Sequence, residues 1–211
     1  SIVSIGIIST SLLGIISLQN GSDENTEPIF FTLQGDNAVS SFPDKNNWIA
    51  GEKMTYISTI ENGLLVLATS SASDTVFAFN FKTGEKIDTF AVGKTPKGVK
   101  ISPDGNMAFV ANEGSDSITV IDLVLGRIFK EIPVGKSPHN IIFHPTDNLA
   151  YVTLQGEDKV VVIDSKKFEV ISSIPVEGIP HNLDISPDGE FLYVTSIADN
   201  DVAVIDLENQ Q

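Results

Sequence analysis

Short runs of Val, Ile, Phe and Tyr alternate with Gly, Pro, Asp and Asn turns along most of this chain, and the alternation repeats at a fixed spacing. Pro96, Pro138 and Pro180 stand 42 residues apart, as do Val120-Ile121-Asp122, Val162-Ile163-Asp164 and Val204-Ile205-Asp206. Phe109-Val110-Ala111-Asn112 falls over Tyr151-Val152-Thr153-Leu154 and Tyr193-Val194-Thr195-Ser196. Ser102-Pro103-Asp104-Gly105 returns as Ser186-Pro187-Asp188-Gly189, with His144-Pro145-Thr146-Asp147 between them. A period in the low forties built from several short strands predicts an all-β chain, a β-propeller of four-stranded antiparallel blades.

Within one unit the pattern predicts strand a over Gly98 to Ile101, b over Met107 to Ala111, c over Ile118 to Ile121 and d over Ile128 to Val134. Turn residues, Pro103-Asp104-Gly105 and Glu113-Gly114-Ser115-Asp116 among them, separate these strands. Runs such as Val160-Val161-Val162-Ile163 need not alternate, because a blade is covered on both faces. A weaker unit lies upstream, where Phe30-Phe31-Thr32-Leu33-Gln34-Gly35 aligns with Tyr151-Val152-Thr153-Leu154-Gln155-Gly156. Its c strand is predicted over Val39 to Phe42 and its d strand over Asn47 to Ala50, with Trp48 in the core column of Phe90 and Ile132. On this reading residues 29–211 hold blades of which the first lacks strand a and the last lacks strand d. The expectation is an incomplete part of a seven-bladed ring, which at this period takes roughly 290 residues. A shorter, irregular closure is the alternative.

Residues 1–18 carry no charge, and the first basic residue is Lys45. As a helix they would extend about 27 Å, close to the hydrocarbon thickness of a bilayer. The expectation is an N-terminal transmembrane helix, an anchor with the propeller on the extracytoplasmic face of a cell membrane, joined through a polar acidic linker over residues 19–28. The net charge of −15, from 13 Lys and Arg against 28 Asp and Glu, argues against nucleic-acid binding. The absence of cysteine removes disulfides, thiolate metal sites and cysteine nucleophiles.

Tyr193-Val194-Thr195-Ser196, Ser186-Pro187-Asp188-Gly189 and Val204-Ile205-Asp206 resemble the YVTN-repeat β-propeller family, named for its strand-b tetrapeptide, although no unit here carries the full tetrapeptide. The resemblance implies an exported or surface-layer protein, often archaeal, usually seven-bladed. It implies no catalytic residue, because the family motif is a folding motif. Similar propellers include the haem-d1 domain of nitrite reductase and lactonase-type enzymes.

Histidine gives the sharpest chemical lead. His139 and His181 stand one period apart, in Pro138-His139-Asn140 and Pro180-His181-Asn182, with Lys97 in the matching slot before them. All three begin strand a, at the mouth of the central channel. Two imidazoles from adjacent blades could share copper or zinc, with Asp184 or a further residue as the third ligand. The competing reading makes Pro-His a way of entering strand a, so that no cofactor is expected. Lys97, His139, Asn140, His181, Asn182 and Asp184 are therefore the channel-mouth candidates. His144 is predicted to be a turn residue at the opposite end. The columns Asp74, Asp116, Asp158, Asn200 and Asn80, Asp122, Asp164, Asp206 are predicted to cap turns. Asp199-Asn200-Asp201 lacks the ligand spacing of a calcium loop.

The leading functional expectation is a non-enzymatic protein-binding or structural module, an accessory subunit of a membrane or cell-surface complex with other protein subunits as partners. A metal- or haem-dependent oxidoreductase using the channel mouth is the second, and a lactonase-like hydrolase the third.

Overall fold

The computed structural model describes residues 53–59 and 65–209 in full, together with the backbone of three strands, Ile29–Leu33, Ala38–Phe42 and Asn47–Ile49. The expected anchor (1–18) and linker (19–28) lie outside the described residues, as does the Trp48 side chain. Among the described residues no helix is long and apolar enough to cross a membrane.

The described strands form five antiparallel sheets in chain order. The first contains β1 (Ile29–Leu33), β2 (Ala38–Phe42) and β3 (Asn47–Ile49). Three four-stranded sheets follow. One is β4 (Met54–Thr59), β5 (Leu65–Ser70), β6 (Thr75–Asn80) and β7 (Lys86–Ala91). The next is β8 (Pro96–Ile101), β9 (Met107–Asn112), β10 (Ser117–Asp122) and β11 (Arg127–Pro133). The third is β12 (Pro138–Phe143), β13 (Leu149–Leu154), β14 (Lys159–Asp164) and β15 (Glu169–Pro175). The last sheet holds β16 (Pro180–Ile185), β17 (Phe191–Ser196) and β18 (Asp201–Asp206). Each sheet is a meander whose neighbours in space are neighbours in sequence, the blade topology that the period predicts.

The core lies between blades. Phe109, Ile118, Val120 and Ile132 of one blade pack against Ile141, Phe143, Val152, Leu154 and Ile163 of the next. The Phe109 and Phe143 rings meet edge-on at 5.0 Å. The same columns recur in Tyr151, Val160 and Val162 against Leu183, Leu192, Val194 and Ile205, and in Leu67, Val76 and Ala78 against Val99, Ala108, Val110 and Ile121.

The acidic columns hold turns, and one of them also ties blades together. Asn80, Asp122, Asp164 and Asp206 each accept hydrogen bonds from two amides of the turn after strand c. Asp74, Asp116 and Asp158 sit in left-handed backbone, and their carboxylates accept from the amides of Thr95, Ser137 and Ile179 at the entrance to the following blade. His144 is a turn residue, as its place in the repeat predicts. Its Nδ1 accepts from the amides of Thr146 and Asp147, and its Nε2 reaches the Gly189 carbonyl in the next blade at 3.1 Å. Gly189 has φ +81°, and a Cβ there would lie 2.5 Å from the imidazole, so only glycine fits.

Phe109 is fully buried at the centre of one interface. Phe109→Ala is therefore expected to cost about 3–5 kcal/mol in chemical denaturation, while Phe129→Ala on the exposed rim costs well under about 1 kcal/mol.

Candidate functional site

Strand a of each described blade begins with a β-bulge. Register slips between Met54 and Ile57, Pro96 and Val99, Pro138 and Ile141, and Pro180 and Leu183. Each slip leaves one unpaired residue and turns its side chain out of the pleat. The bulged pairs are Thr55-Tyr56, Lys97-Gly98, His139-Asn140 and His181-Asn182, so the repeat delivers these residues to one place.

Threonine hydroxyls of strand b satisfy the bulge amides. Thr69, Thr153 and Thr195 accept from the amides of Tyr56, Asn140 and Asn182, each at 3.0 Å. Thr69 and Thr153 then donate to the carbonyls of Lys97 and His181 in the following blade, at 2.8 and 2.9 Å. One hydroxyl thus satisfies a bulge and joins two blades. In β9 the column holds Ala111, and the bulge there carries Gly98.

The imidazoles of His139 and His181 lie side by side, ring centroids 4.1 Å apart and tilted by 38°. The Tyr56 ring meets His139 edge-on at 5.5 Å, with its hydroxyl 3.3 Å from His139 Nδ1. That hydroxyl donates to Asn182 Oδ1 at 3.2 Å, and Asn140 Nδ2 donates to the same oxygen at 3.1 Å. A hydroxyl has one proton, so with it given to Asn182 the proton between Tyr56 and His139 belongs to Nδ1. Tyr56 reaches past the neighbouring blade to the two that follow it, and Gly98 packs closely on the start of β12. A Cβ on Gly98 would come within 2.8 Å of the His139 carbonyl and 2.9 Å of Asn140 Oδ1. Lys97 pairs with Glu113 at 3.3 Å.

Burial pushes His139 down to about 3, helped by the neighbouring His181 and by Lys97. Burial, then Lys97, also lowers His181, with Glu113 opposing. Burial raises the Tyr56 phenol, and Glu113 adds to it. Both imidazoles are therefore neutral at pH 7, each with a lone pair available to a Lewis acid.

Five of the six sequence candidates, Lys97, His139, Asn140, His181 and Asn182, come together here. Asp184 does not join them: it is exposed two residues further along β16, and its charge is felt by Lys100. Among the described residues no three His, Asp or Glu side chains lie close enough to hold a metal ion. Sequence reasoning missed Tyr56 and Glu113. Tyr56 had a signal, because it stands one period before Gly98 and two before Asn140. Glu113 comes from a single 3₁₀ turn, Glu113–Ser115, for which the repeat gives no counterpart.

No family model and no curated protein matches this chain. Many solved structures do. One, Kuenenia stuttgartiensis hydrazine synthase, is similar with a TM-score of 0.70 and 28% identity over 73% of this chain and 46% of that one. The chain thus spans less than half the length of the chain it resembles. The likeness and the five sheets define a β-propeller-type all-β protein.

The neutral imidazoles fix a pH dependence. His139 takes up a proton near pH 6.5 when unfolded but only near 3 when folded, so between those values the unfolded state binds more protons. Stability falls as pH drops from 6.5, by at most about 1.4 kcal/mol per pH unit for one histidine. Denaturation between pH 6.5 and 4.5 measures this slope above the range of the carboxylates, and His139→Gln is expected to flatten it. Tyr56→Phe leaves Asn182 and His139 without the hydroxyl and is expected to cost about 1–3 kcal/mol.

Proposed function

We propose that this chain is a protein-binding scaffold, part of a seven-bladed propeller serving as an accessory subunit of a larger membrane or cell-surface assembly. The observation that carries the reading is how the channel mouth is occupied. Tyr56, His139 Nδ1, Asn140 and Asn182 bond to one another, and Lys97 bonds to Glu113, so most of the polar groups there already bond within the site. The outer rim, by contrast, exposes Ile87, Val124, Leu125, Ile128, Phe129, Val170 and Ile171. Apolar exposure of that extent on an acidic protein supports contact with another subunit.

A second reading rests on the adjacent neutral imidazoles and on the similarity to a protein named for an enzyme, hydrazine synthase. In it, copper, zinc or haem binds at His139 and His181 with a ligand from outside the described residues, and the propeller takes part in oxidoreductase chemistry.

Purification of the native protein in mild detergent without chelators, followed by identification of co-purifying subunits and metals, separates the two. A stoichiometric partner with far less than one metal per chain is expected. A lone propeller carrying copper, zinc or haem would establish the second reading instead.

The membrane part of the proposal rests on residues 1–18, which also fit the repeat. Leu12 stands one period before Met54, and Ile2-Val3-Ser4 four periods before Val170-Ile171-Ser172. Alkaline carbonate extraction decides: an anchored protein stays with the pellet, and a peripheral one is released.

A further inference from the structure

The outer strands carry bulges of their own. In β7, β11 and β15 the register slips past Ile87, Phe129 and Ile171, which stand 42 residues apart and have no partner on strand c. A bulge turns its extra side chain out of the pleat. In all three blades the residue so displayed is large and apolar, 56%, 46% and 50% exposed. Packing between blades does not account for them, because Phe90, Ile132 and Ile174 on the same strands fill that column.

The three bulges join into one strip. The c–d turn of a blade lies against strand d of the blade before it: a Cβ on Gly126 would be 3.7 Å from Asp88, and the Phe168 ring meets Phe129 at 5.0 Å. The exposed Val124 and Leu125 thus continue from Ile87 toward Phe129, and Phe168 continues toward Val170 and Ile171. Phe168 has φ +57° where the two preceding blades place Gly84 and Gly126, a strained backbone for an aromatic residue. Its ring also reaches the buried Phe109 at 6.2 Å, and so stands as an aromatic support behind Phe129.

Charge along the strip is the reverse of the protein's. Segments 82–88, 124–130 and 166–172 hold Lys82, Lys86, Arg127, Lys130, Lys166 and Lys167 against Glu85, Asp88 and Glu169, in a chain with 13 Lys and Arg and 28 Asp and Glu. Among the described residues no carboxylate pairs with Arg127 or Lys130, and Lys130 Nζ donates to the Phe168 carbonyl at 3.1 Å.

We propose that this strip, centred on Arg127, Phe129 and Lys130, binds an acidic segment of a different protein that carries apolar side chains among its carboxylates. The proposal rests on the scaffold reading above and names its contact. A second copy fits less well: strip against strip sets like charges together, and strip against another face leaves a strip free on the last copy unless the rotation closes a ring. A bilayer fits less well too, because the outer edges of β7, β11 and β15 have no neighbouring strand, and their backbone groups bond to a polypeptide but not to lipid tails.

Carbodiimide treatment of the isolated native assembly tests this, since the reagent joins a lysine amine to a carboxylate in contact with it and the links are mapped by mass spectrometry. Lys86 and Lys130 are expected to link to Asp or Glu of a second polypeptide. The full chain carrying Arg127→Glu and Lys130→Glu is expected to keep the melting profile of the parent and to hold that polypeptide about tenfold less tightly. A folded variant that holds it equally well would overturn the proposal. Links only to another copy of this chain would assign the strip to self-association and overturn it too. So would the absence of links between chains, and binding of the parent but not the variant to phosphatidylserine vesicles would then assign the strip to lipid. A stoichiometric partner whose links all lie elsewhere overturns this inference and leaves the scaffold reading standing, whereas an assembly with no partner overturns both. The links are read on the unaltered chain, so the test does not depend on the variant folding.

Discussion

The threonine hydroxyl at the entrance to strand a couples the fold of one blade to the docking of the next wherever strand b supplies it, at Thr69 and Thr153. A bulge frees one amide from the ladder, and an unpaired buried amide costs on the order of 1–3 kcal/mol. Thr69, Thr153 and Thr195 accept that hydrogen bond, and Thr69 and Thr153 donate onward to the next blade. Local satisfaction of the backbone and docking of one sheet on another are thus a single event. The carboxylates of Asp74, Asp116 and Asp158 do the same from the b–c turn, half a period from the amides they hold. Apolar burial supplies the bulk of the cohesion, but it is not directional. These polar joints set the angle and register at which each sheet meets its neighbour.

The bulge also explains why the chemistry of the chain gathers where it does. A regular strand sends alternate residues to opposite faces. The extra residue breaks that alternation and turns the pair after Pro96, Pro138 or Pro180 toward the axis. Positions that must not pack between blades are then free to hold Lys97, His139, His181 or Asn182, and an acidic protein gains a mouth with cationic and neutral nitrogen groups. Desolvation keeps the imidazoles uncharged beside Lys97, so these three groups do not repel one another as three cations would.

The repeat made the blades legible. β9 was expected over Met107 to Ala111 and runs Met107–Asn112, and the turn caps at Asp122, Asp164 and Asp206 follow from residue type and spacing. Strand a begins two residues before the expected Gly98, because the hydrophobic pattern has no mark for a bulge. Five of the six channel-mouth residues were readable for the same reason that the strands were: they share columns. Asp184 was misplaced relative to the histidines because proximity in sequence says nothing about which side of a bulge a residue occupies. Tyr56 was hidden in the least regular unit, where Met54 stands in the proline column and no histidine follows it.

The reach of Tyr56 has a consequence for the order in which this protein is made. Its hydroxyl is bonded to Asn182, 126 residues later, and to His139, 83 residues later. Each sheet can form and dock on its predecessor as the chain leaves the ribosome, since those contacts are local. The phenol cannot: it waits in solvent, opposite an empty axis, until two more blades have been synthesised past Gly98. Closing that loop across the centre is slow compared with adding a strand to a sheet. Tyr56 therefore has both of these polar contacts only once the β16–β18 sheet has taken its place.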